Sequence, residues 1–363
     1  MKTTGIILAA GLGTRLKPST DHCPKPLIPV AGVEPLFFAL EAFYKVGIRK
    51  VVINSHYLPE KIESALKAWA PLFPGLQHRI SLEHPEILGT GGGVLKILRD
   101  SPDWFRGHGI LLQNGDTLTD VPRQLMLDDP AQSRFAISIK PIHLKRYKPL
   151  WVDADGQWVG IGASSQVEGA TAAHFLGLHF VSSAAVEKIY AANWEVRSID
   201  LFNGIYRPLS DEGFRFEAKV FLEKDGEGSF WFDMNTPEYL LEAQKYLMDS
   251  MMRSNTWIET LKMRYPNIHE FQKGVWVSSK PESSLPSFRA PAIFVVKKEA
   301  AGAPPERNQI EVGPHAALLW DGGRRHSSSQ APVLKLENSV LVVGPEHSGE
   351  FPTRVGDQVC VIP

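Results

Sequence analysis

Cysteine is scarce: the 363 residues hold only Cys23 and Cys360. Two thiols cannot build a disulfide framework, and no Cys/His cluster has the spacing of a zinc site. Charge of one sign is missing too, since 39 Lys and Arg meet 40 Asp and Glu. That balance speaks against broad electrostatic attraction to nucleic acid or to an anionic membrane. No window reaches the roughly 18 apolar residues of a membrane span. The apolar run Gly5 to Ala10 is too short for a signal-peptide core and enters a glycine turn. These absences predict a reduced, soluble, cytoplasmic protein. No Gly-Lys-Ser/Thr stands at Walker A spacing. Leu16 occupies the third glycine position of the dinucleotide fingerprint, which argues against a Rossmann dehydrogenase. With 43% hydrophobic and 22% charged residues the composition is that of a packed globular protein. The length suits about two domains.

The first two-thirds of the chain alternates strand and helix patterns. Strands are predicted at Gly5 to Ala10, Lys50 to Asn54, Arg79 to Glu83 and Gly109 to Gln113. Helices are predicted from Leu36 to Val46, from Pro59 to Trp69 with proline in its first turn, and from Gly93 to Arg99. This repetition predicts an α/β fold: a Rossmann-like, mostly parallel mixed sheet with helices on both faces. After about residue 135 strands dominate. Trp151 to Gly162 reads as a hairpin turning at Asp153-Ala154-Asp155-Gly156. Ala173 to Ser182, Phe214 to Leu222 and Ser229 to Met234 read as strands, and Thr236 caps a helix that runs to about Met252.

Helical periodicity stops near residue 265. Beyond it lie short apolar runs, among them Val275 to Val277, Ala292 to Val296, Ala316 to Trp320 and Ser339 to Val343. Turn-rich segments separate them at Lys280 to Ser287, Gly302 to Pro305 and Asp321 to Gln330. The expected division is 1–265 and a small all-β domain at 266–363. Ile310 to Pro314 echoes Leu341 to Pro345, which hints at a parallel β-solenoid, with a sandwich or barrel as alternatives.

Chemistry concentrates first at Leu8-Ala9-Ala10-Gly11-Leu12-Gly13-Thr14-Arg15-Leu16, followed by Pro24-Lys25-Pro26-Leu27. Small residues after a strand let backbone N–H groups approach an anion. Lys2, Arg15, Lys17 and Lys25 face only Asp21 in the first 33 residues, a local positive excess. The second signal is Gly89-Thr90-Gly91-Gly92-Gly93, whose entropic cost a ligand against the backbone would explain. The third and fourth are two carboxylates, Asp116 in Asn114-Gly115-Asp116 and Asp233 in Trp231-Phe232-Asp233, each following an apolar strand. Together they offer the hard oxygen ligands that suit Mg²⁺. The histidines, including His22, His56 and His315, are scattered and read as surface or loop residues.

The glycine turn with Arg15 and the Pro24-Lys25-Pro26-Leu27 motif resembles the signature of the sugar-1-phosphate nucleotidyltransferases, over roughly residues 4 to 247. That family joins a nucleoside triphosphate to a sugar 1-phosphate and releases pyrophosphate. The resemblance implies nucleotide contacts at Leu8, Ala9, Ala10, Gly11, Gly13, Thr14, Gly91 and Gly92. It implies Arg15 on the β- and γ-phosphates, Lys25 on the α-phosphate and sugar phosphate, and Asp116 and Asp233 on Mg²⁺. It places Asn114 by the sugar phosphate and Gly177 by the sugar, although Gly177 would equally suit a strand beside a bulge. Glu168 and Asp200 are weaker candidates for sugar hydroxyls. The Gly-Thr-Gly-Gly run is similar to the muramic acid 1-phosphate uridylyltransferase and manno-heptose guanylyltransferase branches, and near the Gly-Thr-Ala-Gly of mannose-1-phosphate guanylyltransferases. It does not distinguish GTP from UTP, dTTP or CTP. Such enzymes supply nucleotide sugars, as for cell-envelope polysaccharide. Longer relatives carry a left-handed β-helix, which Leu336 to Val340 resembles in degenerate form, and it implies a homo-oligomer. Two other readings stand beside this one. A nucleotide-sugar-dependent glycosyltransferase would use Asp153-Ala154-Asp155 as its metal motif, and a catalytically inactive regulatory protein would bind nucleotide alone.

Overall fold

The computed structural model describes residues 2–165, 167–222, 230–251 and 256–272, and only strand segments between 275 and 362. They group into two compact units, Met1–Gly11 with Ala39–Trp231, and Leu12–Phe38 with Phe232–Pro363.

The first unit is built on a mixed, mostly parallel sheet, as the strand and helix alternation predicts. Its strands are β1 (Thr3–Leu8), β2 (Lys50–Ser55), β3 (Gln77–Leu82), β4 (Gly109–Asn114), β6 (Ser133–Ser138), β7 (Leu150–Val152), β8 (Trp158–Ile161), β9 (Thr171–Val181) and β10 (Phe216–Leu222), while the short β5 (Thr117–Thr119) lies outside this sheet. The main order is β10-β6-β9-β4-β1-β2-β3. β9 runs antiparallel to both β4 and β6, while β1 pairs in parallel with β2 and β4. From β1 the chain steps to β2 and β3 on one side, then returns to β4 on the other. Right-handed crossovers therefore send helices Pro35–Lys45 and Pro59–Trp69 to one face and Gly89–Asp100 to the opposite face. The side chains agree. Phe43 lies where a Cβ on Gly5 would be, 2.6 Å away, while the neighbouring Ile6 joins Val94, Leu98 and Leu112 in the buried core of the other face.

The reversal between β1 and β4 is a topological switch point, where open α/β sheets leave a crevice at the strand ends. Leu8 pairs with Asn114 there, so the first glycine turn and the Asn114–Asp116 turn leave the sheet side by side.

Local signals account for most elements. Pro59 opens its helix where predicted, Thr236 Oγ1 accepts from Tyr239 N–H at 3.4 Å, and Asp153 Oδ1 accepts from the N–H groups of Asp155 and Gln157 in the β7–β8 hairpin. β6 and the helix Ser183–Ala192, capped by Ser182, have no counterpart among the predicted elements.

The histidines differ from expectation. His174 and His179 are buried on β9, at 5% and 1% exposure, whereas His22, His56, His84 and His108 stand in loops, and His315 lies outside the described residues. His179 packs against Phe135 and Phe175, and Tyr206 hydrogen-bonds its Nδ1 at 2.8 Å, whereas His174 packs against Tyr147 and Trp231. Burial pushes both imidazoles down to about 3 from 6.5. The unfolded chain takes up those protons below about pH 6.5 while the folded one does not, so stability falls as pH drops from there toward 3. Asp120, pushed up to about 6 by burial, acts in the opposite sense, and its cost fades as pH falls toward 3.8. Two histidines outweigh one carboxyl. The urea midpoint is expected to be lower at about pH 4.5 than at neutrality, and His179→Gln to shrink that difference. A midpoint that does not move with pH would contradict this.

In the second unit, helix Thr256–Arg264, absent from the predicted elements, anchors the turn at Val30–Glu34. Trp257 Nε1–H donates to Ala31 O at 3.0 Å, Tyr265 Oη–H to Gly32 O at 2.9 Å, and Arg264 forms a bidentate pair with Glu34. Further on, Val275–Ser278, Ala292–Val296, Ala316–Trp320, Val340–Val343 and Val359–Ile362 pair in parallel in one sheet. Ser287–Phe288, Ile310–Val312, Leu334–Glu337 and Arg354–Gly356 pair in parallel in another. Successive strands alternate between the sheets, and the two echoing segments fall in different ones. The turn-rich stretches 280–286, 302–305 and 321–330 lie outside the described residues.

Candidate functional site

In the first unit, backbone packing ties the strand ends together. Gly115 N–H donates to Leu8 O at 2.8 Å, and a Cβ on Gly115 would stand 2.9 Å from that oxygen. Ala9 N–H donates to Asn54 Oδ1 at 2.6 Å, so this N–H is already engaged by protein. Asn54 Nδ2 donates to the fully buried Glu83, which also accepts the Leu88 N–H at 2.8 Å. Asn54 and Glu83 thus couple the end of β1 to the start of the glycine helix. Sequence reasoning passed over both, although polar residues at the ends of parallel strands were the available signal.

That helix starts at Gly89, not at Gly93, and the three consecutive glycines sit inside it. The cause is a remote segment. Ile199 O accepts from the N–H groups of Gly91 (3.0 Å) and Gly92 (3.3 Å), satisfying donors that a helix start leaves open. A Cβ on Gly92 would lie 2.1 Å from Arg197 O. The chain's own backbone therefore gives these glycines a packing reason beside the ligand contact that the sequence suggests. Gly92→Ala is expected to cost about 1–3 kcal/mol of stability, read as a lowered melting temperature. An unchanged melt would contradict the packing.

Asn114 and Gly177 come together. Gly177, at φ +73°, would place a Cβ 3.0 Å from Asn114 Nδ2 and Thr117 Oγ1. Between Phe135 and Ile137 the partner on β9 shifts from His179 to Phe175, so Gly177 also sits at a bulge. Asp116 is half-buried in the turn between β4 and β5. Asp200 binds Asn203 N–H at 2.8 Å and faces Gly91 through its carbonyl, and Glu168 is exposed. Asp153 is occupied as a turn residue, which removes the motif that a glycosyltransferase reading needs.

In the second unit Gly13 takes φ +64° and opens a short 3₁₀ turn over Thr14–Leu16. Thr20 Oγ1–H donates to Gly13 O at 3.0 Å, and the Lys25 Cβ lies 3.2 Å from where a Cβ on Gly13 would be. Thr14 and Arg15 are exposed, as is Gly11 in the first unit, whereas Lys25 is only 7% exposed. Both cations converge on one amide oxygen. Arg15 Nη2–H donates to Asn235 Oδ1 at 2.7 Å and Lys25 Nζ–H to the same atom at 2.6 Å. Asn235 thus orients both cations through one atom. Asn235 stands only two positions after Asp233, yet has no role in the sequence reading. Asp233 ends a strand at Trp231–Asp233 and is 8% exposed. Asp116 belongs to the first unit and Asp233 to the second.

Residues 4–145 match the nucleotidyl transferase family model, and the chain carries that domain. It is 37% identical over 260 residues to the mannose-1-phosphate guanylyltransferase catalytic subunit beta of Drosophila pseudoobscura pseudoobscura, covering 70% of this chain and 65% of that one. It is 37% identical over 116 residues to the N-acetylmuramate alpha-1-phosphate uridylyltransferase of Neisseria meningitidis, covering 32% of this chain and 48% of the relative. The chain thus spans less than two thirds of the length of these curated relatives. The crystal structure of HddC from Yersinia pseudotuberculosis complexed with GMP-PN shares the fold, with a TM-score of 0.51 at 20% identity over 67% of this chain and 98% of that one. Among the described residues no helix is long and apolar enough to cross a membrane.

Proposed function

We propose that the chain joins a nucleoside triphosphate to a sugar 1-phosphate, giving a nucleotide sugar and pyrophosphate. The observation that carries this reading is the convergence of Arg15 and Lys25 on Asn235 next to the Gly13 turn. Two cations held side by side by one amide are suited to bind the oxygens of a polyphosphate. The names of the two relatives favour guanylyl or uridylyl transfer.

A sugar-phosphate oxygen attacks the α-phosphorus in line, the new P–O bond forms, and the bond to pyrophosphate breaks. The attacking oxygen is already anionic, so no general base is required. The obstacle is the mutual repulsion of two anions. In this reading the backbone of Leu8 to Thr14 holds the nucleotide, with Gly91 and Gly92 bordering the base. Arg15 stabilises the departing β- and γ-phosphates, and Lys25 draws the α-phosphate and the sugar phosphate together. Asn114, beside Gly177, receives the sugar phosphate. In the same reading Asp116 and Asp233 would each lend a carboxylate to a divalent ion such as Mg²⁺, which takes one or two carboxylates and leaves its other positions to water and phosphate. When bound, the ion offsets negative charge on the reacting phosphates.

The proposal also takes the protein as cytoplasmic, acting on small molecules without nucleic acid or membrane and supplying nucleotide sugar for cell-envelope polysaccharide. Residues 266–363 serve it as a degenerate left-handed β-helix that mediates homo-oligomer formation. The alternating parallel strands of that region support the solenoid part of this reading. The test is pyrophosphate release with Mg²⁺ from GTP, UTP, dTTP and CTP, each paired with mannose, glucose, N-acetylated and heptose 1-phosphates. Release from one pair well above the others is expected. Nucleotide binding without release from any pair overturns the proposal in favour of a regulatory protein.

A further inference from the structure

Close to the Asn114–Asp116 turn lies a buried guanidinium that the proposed chemistry does not use. Arg123 is 4% exposed. Its Nη1–H groups donate to Thr119 O at 2.6 Å and Val121 O at 2.7 Å, and Nη2–H donates to Gln113 Oε1 at 2.9 Å. Gln113 is fully buried near the end of β4, and its Nε2–H reaches across the turn to Thr117 O at 3.4 Å. The turn that bears Asn114 and Asp116 is therefore held on both arms. The same scaffold grips the chain on its way to Asp233. Thr119 Oγ1–H donates to Phe230 O at 2.9 Å, and Asp120 Oδ1 accepts the Phe230 N–H at 2.7 Å. Burial pulls the Arg123 guanidinium down to about 10, the mark of a charge held where solvation is poor. A buried charge stabilises a fold less well than a packed apolar side chain of similar size. An apolar residue, however, cannot supply directional bonds to both arms of a turn.

We infer that Arg123 is a positioning residue for the reaction: through Gln113 and the carbonyls of Thr119 and Val121, it holds the Asn114–Gly115–Asp116 turn where nucleotidyl transfer needs it. Arg123 itself touches no reactant. The inference rests on the proposed function, since the placement of this turn matters only if Asn114 and Asp116 serve that chemistry.

The experiment compares the full chain with its Arg123→Met and Arg123→Lys variants. It measures kcat and KM for pyrophosphate release, the half-saturating Mg²⁺ concentration, and amide hydrogen exchange over residues 113–119. Arg123→Met is expected to lower kcat about 10- to 100-fold, as loss of outer supporting contacts does elsewhere, and to raise the Mg²⁺ requirement. Exchange should quicken in 113–119 while β1 stays protected, and Arg123→Lys should restore part of the rate. A folded Arg123→Met variant with wild-type kcat and unchanged exchange at 113–119 overturns the inference. So does exchange that rises evenly across the sheet with no selective effect on 113–119. If Arg123→Met does not fold, Gln113→Met decides by the same readouts, since it leaves the two carbonyl contacts in place. A wild-type chain inactive over the whole substrate panel overturns the proposed function itself. An active wild type with an unaffected variant overturns only the role of Arg123.

Discussion

Lys25→Met is expected to slow pyrophosphate release by about 100- to 1,000-fold, the range seen when one preorganised donor to a developing charge is removed. Lys25 is nearly buried, and its ammonium is fixed 2.6 Å from Asn235 Oδ1, the atom that also holds Arg15. The amide supplies geometry but no counter-charge of its own. Methionine keeps the length of the stem and deletes the charge. Methionine also keeps the apolar stem in place, so the packing around it survives. The result is therefore separable from unfolding: kcat collapses while the melting temperature does not. Full turnover in a folded Lys25→Met variant would remove the centre of the proposed mechanism. Arg15 is exposed, so Arg15→Met is expected to act more through triphosphate affinity and to respond more to added salt.

Asp116→Asn is expected to cut turnover by about 100-fold or more, the scale of charge stabilisation that a bound divalent ion contributes. The substitution is nearly isosteric and lies in a turn, so the fold should survive it. The diagnostic is the response to metal. Raising Mg²⁺ should recover part of the rate if the substituted amide still offers one oxygen, and the half-saturating concentration should move upward. Undiminished activity at ordinary Mg²⁺ would refute the metal role of this carboxylate. The two variants also separate two contributions. Lys25→Met leaves the metal requirement in place, whereas Asp116→Asn alters it.

Much of the first unit is legible in the chain because its signals are local. The apolar runs of β1, β2 and β4 stop at polar or small residues, and the helix Pro59–Trp69 announces both its proline start and its apolar stripe. The β7–β8 hairpin follows from Asp153 and Gly156, whose side-chain bond and positive φ of 75° need only a few neighbouring residues. The misses are equally specific. Helix Thr256–Arg264 has a weak apolar pattern of its own and is held by Trp257 and Tyr265 on a turn more than 200 positions away. The glycine helix begins at Gly89 because Ile199 O caps it from over 100 residues downstream. The buried histidines of β9 belong to different alternation sets, His174 with Leu176 and Leu178 and His179 with Phe175, and His179 is made tolerable by Tyr206.

The order of residues thus determined which groups could do chemistry: a glycine turn with Arg15 and Lys25, two carboxylates at strand ends, and a parallel α/β scaffold to carry them. These follow from backbone propensity and side-chain type, which act over one or two turns of chain. Tertiary structure alone decided what those groups meet. It set Asn235 against both cations, Gly177 against Asn114, and Arg123 beneath the Asp116 turn. Such meetings depend on strand order and sheet register. Those arise from packing summed over the whole unit, and no short stretch of sequence encodes them.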